Sequence, residues 1–568
     1  MTDDSNIELL YQSNWDLTKV TSTDSHAQVI VPANCVLPFV GYANITVQSG
    51  SLLIGGVQLT KPHSFICSLP FGPLLYLQST SEATTFTLHN SFPTQPSLPD
   101  SPPMAPLYPV TSFIPISDPS SCSYTPLVIP PCWESFAQGQ GSVSPQIYFV
   151  VGAKDSGKSV FCSYLSSFLT ASRNQKVTLI DLDCGQSFFA PPNHMSAVSI
   201  KSIVTPSSIG RLLNAESNSL ELIKTFSFAS NTPSSDIPFY IDLACRLFKF
   251  VISNFDTSPI VINTCGWTSG FGKELLITLL GKFQSYLSQR GFKKVSPIIL
   301  ASETNVSDWQ SWGADVINQA QNDTSCPVIE PSYLVFSLPR MEKSEVSLEL
   351  DYNKLKPQIL RDSLTFAWLN DLECILGLIN KIIELVTTGS VKVMQYYELL
   401  TSQIFEKRSH LVDLRSLGLV LFSPPLYLPS FLTKISNSEL YMRKLGSNIV
   451  CYLVSLYFDE NLEVSSAPKI LNSRPSKSAK LIGFGLIKSF DCFSNQLQIV
   501  TSSFHPHVDL YKVNILAIQL GFPNDLLRYR SFAFDSSLVL PSFIVDSTDV
   551  VGSASSVPKR KHVNRTWA

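Results

Sequence analysis

The chain is 568 residues long, 44% hydrophobic and 15% charged, with a formal net charge of -3 at pH 7. That length exceeds what one hydrophobic core serves and predicts about two to four domains, while the apolar share excludes wholesale disorder. The charge balance excludes a global attraction to polyanions, so a nucleic-acid site must rest on a local basic patch.

From about Ala27 to His89, short β-rich runs (Val29–Val31, Asn44–Val47, Ser51–Ile54, Leu74–Leu77) are separated by Gly50, Gly55-Gly56 and proline turns. They predict an N-terminal β-rich domain over residues 1–92. Prolines at 93, 96, 99, 102, 103, 106 and 109 follow, with more up to Pro131. Proline at this density makes neither helix nor central strand, and residues 93–132 are expected to be a linker or extended arm. Residues 133–388 then alternate apolar strands with amphipathic helices. Strands are predicted at Ile147–Val151, Val177–Leu182, Ser258–Ile262 and Ser296–Ala301, and helices at Lys158–Ala171 and Lys273–Leu287. This β-α-β alternation indicates a parallel sheet covered by helices on both faces. Residues 389–557 return to β-like runs, including Lys480–Ile487, Gln496–Thr501 and Val513–Leu520, and a basic tail occupies 558–568. The fold class expected is α/β: a central P-loop parallel-sheet domain flanked by N-terminal and C-terminal β-rich domains.

The 12 cysteines form no C-x-x-C pair and no zinc spacing. The acidic start Met1-Thr2-Asp3-Asp4 lacks the apolar region of a signal peptide. The apolar run Cys374 to Thr387 is interrupted by Asn380, Lys381 and Glu384 and is too short for a bilayer. The expectation is a soluble, intracellular protein with reduced thiols and no membrane partner.

Gly152-Ala153-Lys154-Asp155-Ser156-Gly157-Lys158-Ser159 fits G-x-x-x-x-G-K-[ST] at every fixed position, after a predicted strand and at the mouth of a helix. Its glycines let the backbone wrap round phosphates, and the amides at the helix N-terminus supply partial positive charge. Lys158 is expected on the β- and γ-phosphates of ATP and Ser159 on Mg²⁺. One helix later, Val177 to Gln186 is an apolar strand ending in Asp181 and Asp183. Both carboxylates are predicted at the C-terminal edge of the sheet, one to take a proton from an attacking hydroxyl and the other to orient metal-bound water. Ile260 to Trp267 ends on the same edge, where Thr264 offers a hydroxyl, Gly266 a close backbone approach and Trp267 a stacking surface. Neither the N-K-x-D guanine signature nor an L-S-G-G-Q segment occurs, which disfavours a GTPase or transporter ATPase.

With these clusters the chain resembles the polynucleotide 5′-hydroxyl kinases, in particular the nucleolar branch of ribosome biogenesis (Grc/Nol type). The related Clp-type branch acts in mRNA 3′-end cleavage. The D-x-D-x-G-Q segment is matched by Asp181, Asp183, Gly185 and Gln186, and the T-x-G-W clasp by Thr264, Gly266 and Trp267. Asp183 to Pro192 looks like the nucleolar D-x-G-Q-x-x-F-x-P-P, and Asn263 to Trp267 like N-T-P-G-W with Cys265 in place of proline. The segment Leu355 to Leu369 makes Arg361 the lid candidate. The resemblance implies transfer of the ATP γ-phosphoryl group, with Mg²⁺, to a 5′-OH RNA end. In that scheme Lys158, Asp181, Asp183 and Arg361 are catalytic, Asp183 being the general base. Ser159 and Asp183 hold the metal, while Gln186, Thr264, Gly266 and Trp267 contact the RNA. It further implies nuclear and nucleolar localisation, action on the second internal transcribed spacer of large-subunit pre-rRNA, and an HEPN-type endoribonuclease partner of Las type. A Clp-type subunit of the mRNA machinery and a non-catalytic ATP-binding scaffold are the alternative readings. The basic tail reads as a contact for the partner nuclease or its RNA, as a nuclear-localisation signal or as a solvated end.

Overall fold

The computed structural model describes residues 12–59, 64–68, 74–91, 110, 112–119, 126–139, 147–174, 176–206, 208–254, 258–289, 295–302, 311, 334–338, 365, 368–369, 375–376, 410–421, 453–462, 469–471, 475, 479–491, 493–501 and 512–518. Arg361 and the basic tail lie outside them.

Nine strands come first: β1 (Lys19–Ser22), β2 (His26–Val31), β3 (Val36–Ser49), β4 (Leu52–Ile54), β5 (Val57–Gln58), β6 (Ser64–Ser68), β7 (Leu75–Ser79), β8 (Thr84–His89) and β9 (Phe113–Pro115). They form one sheet in the order β1-β2-β8-β3-β7-β4-β5, with β6 and β9 also paired to β3. The long strand β3 turns at Gly41 (φ +107), where the Ser112 carbonyl crowds the space a side chain would fill. β9 departs from the expected arm: Phe113, Ile114 and Pro115 pair with Gly41, Val40 and Phe39. Phe113 is buried and stacks on Phe39 with ring centroids 4.8 Å apart. Proline-rich chain thus includes an edge strand, where a missing N–H costs nothing if it faces away from the ladder.

The helix α1 (Pro131–Gly139) precedes the central sheet, whose strands are β10 (Ile147–Gly152), β11 (Val177–Asp181), β12 (His194–Ile200), β13 (Leu220–Ser227), β14 (Ile260–Asn263), β15 (Val295–Ser302) and β16 (Leu334–Leu338). The helices between them are α2 (Lys158–Arg173), α3 (Ser208–Glu216), α4 (Ile237–Asn254) and α5 (Phe271–Gln289). The sheet order is β13-β12-β11-β14-β10-β15-β16. β11, β14, β10, β15 and β16 run parallel. β12 and β13 pair antiparallel, so the sheet is mixed rather than purely parallel. Ile-Tyr-Phe-Val-Val-Gly in β10 is buried throughout, as a parallel strand covered on both faces requires. Tyr148 and Val150 face one core with Phe161, Leu165 and Leu169 of α2, whereas Phe149 and Val151 face another with Leu243 and Leu247 of α4 and Leu276 and Leu280 of α5.

The third sheet comprises β17 (His410–Asp413), β18 (Gly418–Leu421), β19 (Leu453–Phe458), β20 (Lys469–Leu471), β21 (Lys480–Asp491), β22 (Gln496–Thr501) and β23 (Ile515–Ile518), ordered β17-β22-β21-β19-β23-β18-β20. The three sheets share a core: Tyr42 and Tyr76 of the first and Leu453, Phe484 and Leu486 of the third join the α2 face of the second. A polar pin crosses this junction, where Ser455 Oγ donates to Ser227 Oγ at 2.9 Å and buried His194 Nε2 lies 3.3 Å from the Ser455 hydroxyl. No helix among the described residues is long and apolar enough to cross a membrane.

Candidate nucleotide and phosphoryl-transfer site

β10 sits where the chain first crosses to β11 and β14 on one side and later to β15 on the other, the kind of switch point at which open α/β sheets bind ligands beyond the strand ends. There β10 delivers Gly152, and the loop through Ser156 turns into α2 at Lys158. Two residues permit that turn: Asp155 with φ 62 and Gly157, the N-cap, with φ +82. Gly152 has no room for a side chain, because a Cβ there meets the Ser156 hydroxyl and comes within 2.8 Å of the Leu300 carbonyl. Lys154 and Asp155 are exposed, Ala153, Ser156 and Ser159 are half-buried, and Lys158 is only 6% exposed. The Lys158 ammonium donates to the Ala153 carbonyl at 2.7 Å, curled across the mouth of the loop. Burial lowers its pKa; the Asp183 carboxylate is foremost among the groups opposing that shift. A cation held in this way, beside unpaired amides of a helix N-terminus, is a receptor for phosphate oxygens.

The two acids of the second cluster have different surroundings. Asp183 is half-buried, and its Oδ1 accepts from the Gly185 and Gln186 amides at 3.0 and 3.1 Å. This ring of donors keeps the carboxylate fixed at the rim of the sheet. Asp181 is fully buried. Its Oδ1 accepts from Asn263 Nδ2 at 2.9 Å and from the Asp183 amide at 3.2 Å, while Oδ2 accepts from the Ser187 hydroxyl and the Phe188 amide. Burial, with Asp183 adding to it, pushes Asp181 up to about 7, against the pull of the Phe188, Asn263 and Asp183 donors. Of the expected pair, only Asp183 reaches the cleft; Asp181 is committed to the framework.

The third cluster closes the site from the neighbouring strand. β14 pairs with both β10 and β11 and carries Asn263 opposite Val150 and opposite Asp181. Thr264, expected to contact the polynucleotide, is fully buried and its hydroxyl donates to the Val150 carbonyl at 2.7 Å, tying the clasp to the P-loop strand. Gly266 does make the close approach expected of it: a Cβ there lies 2.9 Å from both N and Cα of Lys154. Trp267 is half-buried, packed on the α4–α5 core and against Gly272, so only part of its ring is available to a base. Gln186 is exposed at the same rim. Cys265, where the resembled motif has proline, is buried and its thiol is raised to about 11 by burial. Arg361 lies outside the described residues.

Two residues to which motif reading gave no role complete the site. Asn263 joins the clasp to Asp181. Arg211 of α3, 2% exposed, donates to the carbonyls of Phe188 and Pro206 at 2.7 Å and of Thr205 at 3.3 Å, and its guanidinium lies 3.7 Å from the centre of the Phe188 ring. It thereby fastens the segment whose amide holds Asp181. Nothing in the local pattern around position 211 marks it, since its partners are backbone carbonyls.

Residues 152–287 match the family model described as the mRNA cleavage and polyadenylation factor CLP1 P-loop. The polynucleotide 5′-hydroxyl-kinase GRC3 of Gibberella zeae is 30% identical over 188 residues, 30% of this chain and 26% of that protein. The polyribonucleotide 5′-hydroxyl-kinase Clp1 of Xenopus laevis is 30% identical over 154 residues, 26% of this chain and 33% of that protein. These matches thus span about a quarter to a third of the curated relatives' own length. The solved structure of the wild-type Clp1p–Pcf11p complex covers 88% of this chain and 99% of that chain, with 12% identity and a TM-score of 0.46. The P-loop core, residues 152–287, is thus similar to the corresponding segments of GRC3 and Clp1 5′-hydroxyl kinases.

Proposed function

We propose that the chain is an ATP-dependent polynucleotide 5′-hydroxyl kinase acting on RNA ends. The observation that carries this reading is the convergence of Lys158, Asp183 and the Gly266 clasp on one sheet edge, within the segment that matches the CLP1 P-loop model. Lys158 leaves the Ala153 carbonyl for the β- and γ-phosphates, and the loop amides take the remaining oxygens. The donors at the rim, the Ser159 hydroxyl and the Asp183 carboxylate, suit Mg²⁺ brought in on the nucleotide, which takes one or two protein oxygens and completes its shell with phosphate and water. When bound, that ion would neutralise charge on the transferred group. Asp183 accepts the proton of the attacking 5′-hydroxyl, a bond forms from that oxygen to the γ-phosphorus, and the bond from phosphorus to the bridging oxygen breaks to release ADP. Gln186 and the open part of Trp267 grip the terminal nucleotide. Asp181 and Thr264 act through position, one holding the Asp183 turn and the other the clasp. Arg361 is assigned to the lid by resemblance.

Within this reading the nucleolar branch is favoured by Asp183-Cys-Gly-Gln-Ser-Phe-Phe-Ala-Pro-Pro192 and Asn263-Thr-Cys-Gly-Trp267. The natural substrate is then a 5′-OH end in the second internal transcribed spacer of pre-rRNA, made by an HEPN-type nuclease of Las type, in the nucleolus. Transfer of labelled γ-phosphate to a 5′-OH oligoribonucleotide tests the activity. Lys158→Ala should abolish it, and undiminished transfer by that variant refutes the assignment. Co-purification with a ribosome-processing nuclease rather than with mRNA cleavage factors tests the pathway.

A further inference from the structure

Helix α4 links the site to a surface that no role above uses. The Tyr240 hydroxyl donates to the Leu182 carbonyl at 2.6 Å, one residue from Asp183, and the Asn231 carbonyl ahead of the helix crowds Gly185. From that anchor α4 runs down the outer face of the sheet. Arg246, Lys249 and Phe250 follow at helical spacing on one side of it, about 9 to 15 Å along the axis from Tyr240 at 1.5 Å per residue.

Cations and half-buried aromatic rings interleave along this face. The Arg246 guanidinium lies 4.9 Å from the Phe226 ring centre, and Lys224 Nζ lies 5.5 Å from both Phe226 and Phe250. Lys249 Nζ lies 5.4 Å from Tyr286 of α5. Lys249 and Lys282 both bear on the Cys245 thiol between the two helices, so the positive line continues across to α5. Among the described residues, the acid Asp242 meets this row, 3.8 Å from Arg246 and nearly half exposed. Burial, and after it the neighbouring Arg246, lowers the Lys224 pKa, a cost that a polyanion would relieve. On a chain with a net charge of -3, four cations, three of them over aromatic rings, form the local patch that nucleic-acid binding requires.

We propose that this face, Lys224, Arg246, Lys249 and Lys282 with Phe226, Phe250 and Tyr286, is a track for the body of a single-stranded RNA whose 5′ end is held at the P-loop. This deepens the kinase reading and rests on it for the identity of the polymer. Phosphates draw the cations off the rings, and bases stack on the ring faces that the lysine and arginine head groups now approach. The rings favour RNA over an acidic peptide, which needs the cations alone.

The test uses the full chain and a fluorescent single-stranded oligoribonucleotide, with binding read by anisotropy across a salt series without ATP. Lys249 and Lys282 are exposed, so Lys249→Glu/Lys282→Glu should fold normally. It should bind at least about tenfold more weakly and lower the slope of log K against log salt by about one to two, near 0.7 for each lost phosphate contact. Phosphorylation of a 5′-OH dinucleotide, too short to reach the track, should stay at the wild-type rate. As a second variant, Phe250→Leu should weaken binding with the salt slope unchanged. Unchanged affinity and slope in the charge-reversal variant overturn the track. So does loss of binding to a polyglutamate peptide with RNA binding intact, which would make the face an acidic-protein site. If RNA binding falls as expected but no chain phosphorylates either substrate, the track stands and the kinase reading falls.

Discussion

Gly266→Ala probes how the clasp sets the P-loop. The added Cβ would lie 2.9 Å from N and Cα of Lys154 and 3.2 Å from its Cβ. Carbon atoms rest at about 3.5–4.0 Å, so one side must yield by about half an ångström or more. Gly266 follows a strand end pinned by Thr264 and Asn263, whereas Lys154 and Asp155 are exposed, so the loop yields rather than the core. The loop amides then miss the phosphate oxygens by that amount. Since a misplacement of about 1 Å costs on the order of a hundredfold, half of it should weaken ATP by about tenfold, or roughly 1.4 kcal/mol. Calorimetric titration of the full chain with Mg-ATP measures this directly. Urea unfolding without nucleotide should change by less than about 0.5 kcal/mol, as expected when a surface loop absorbs the strain. Wild-type ATP affinity in a folded Gly266→Ala chain would refute the claim that clasp and loop are in contact.

Thr264→Val keeps the shape but removes the donor to the buried Val150 carbonyl. It should lower stability by about 1–3 kcal/mol in urea unfolding, while phosphoryl transfer by the folded fraction falls only in part, through displacement of the clasp. A loss of transfer with stability unchanged would return Thr264 to the substrate. Asp181 should make the nucleotide-free chain less stable as pH rises. Its folded-state pKa of about 7 lies above the unfolded value of about 3.9, so between those limits the folded chain holds a proton that the unfolded chain has released. Denaturation at several pH values should show stability falling from pH about 4 towards 7, with a shallower slope in Asp181→Asn; identical slopes would place the pH dependence elsewhere. Arg211→Met removes the donor to the Phe188 and Pro206 carbonyls and should lower both the stability and the ATP affinity of the chain, with Arg211→Lys recovering part of each. Full retention of both by the methionine variant would show that this segment holds itself.

The central strands and their helices were legible because they announce themselves locally: a glycine loop between an apolar strand and a helix has few other readings. β10, α2, β11, β14, α5 and β15 fall within a few residues of expectation. β12, antiparallel to both β11 and β13, was not legible, since His194 to Ile200 is buried throughout and carries no alternation to mark it. Burial on both faces erases the period by which strands are recognised. β9 was hidden for the opposite reason, a proline-rich composition that reads as an arm until a long partner strand captures it. Within the site, the motifs located Lys158, Asp183 and Gly266 but could not separate the side chains that face the cleft from those that face the core. That distinction depends on which neighbour lies across the sheet, and Val150 is 114 positions from Thr264. Arg211 left no trace because backbone carbonyls carry no sequence identity.

These connections make the site a single hydrogen-bonded unit rather than three motifs side by side. Thr264 ties the clasp to β10, Asn263 ties it to Asp181, Asp181 gathers the Asp183 turn and the Phe188 amide, and Arg211 holds Phe188 from beneath. Among the described residues, Lys158, Ser159, Asp183, Gly266, Gln186 and the open part of Trp267 lie at the rim of this network, where the proposed reading brings a γ-phosphate and a hydroxyl together. A lesion inside it should therefore displace several donors together, and double variants of Thr264 and Asn263 should fall short of the sum of their separate effects. Strict additivity would mean that the clasp and the acidic turn are positioned independently, and that the shared strand β14 matters less than its place between β10 and β11 implies.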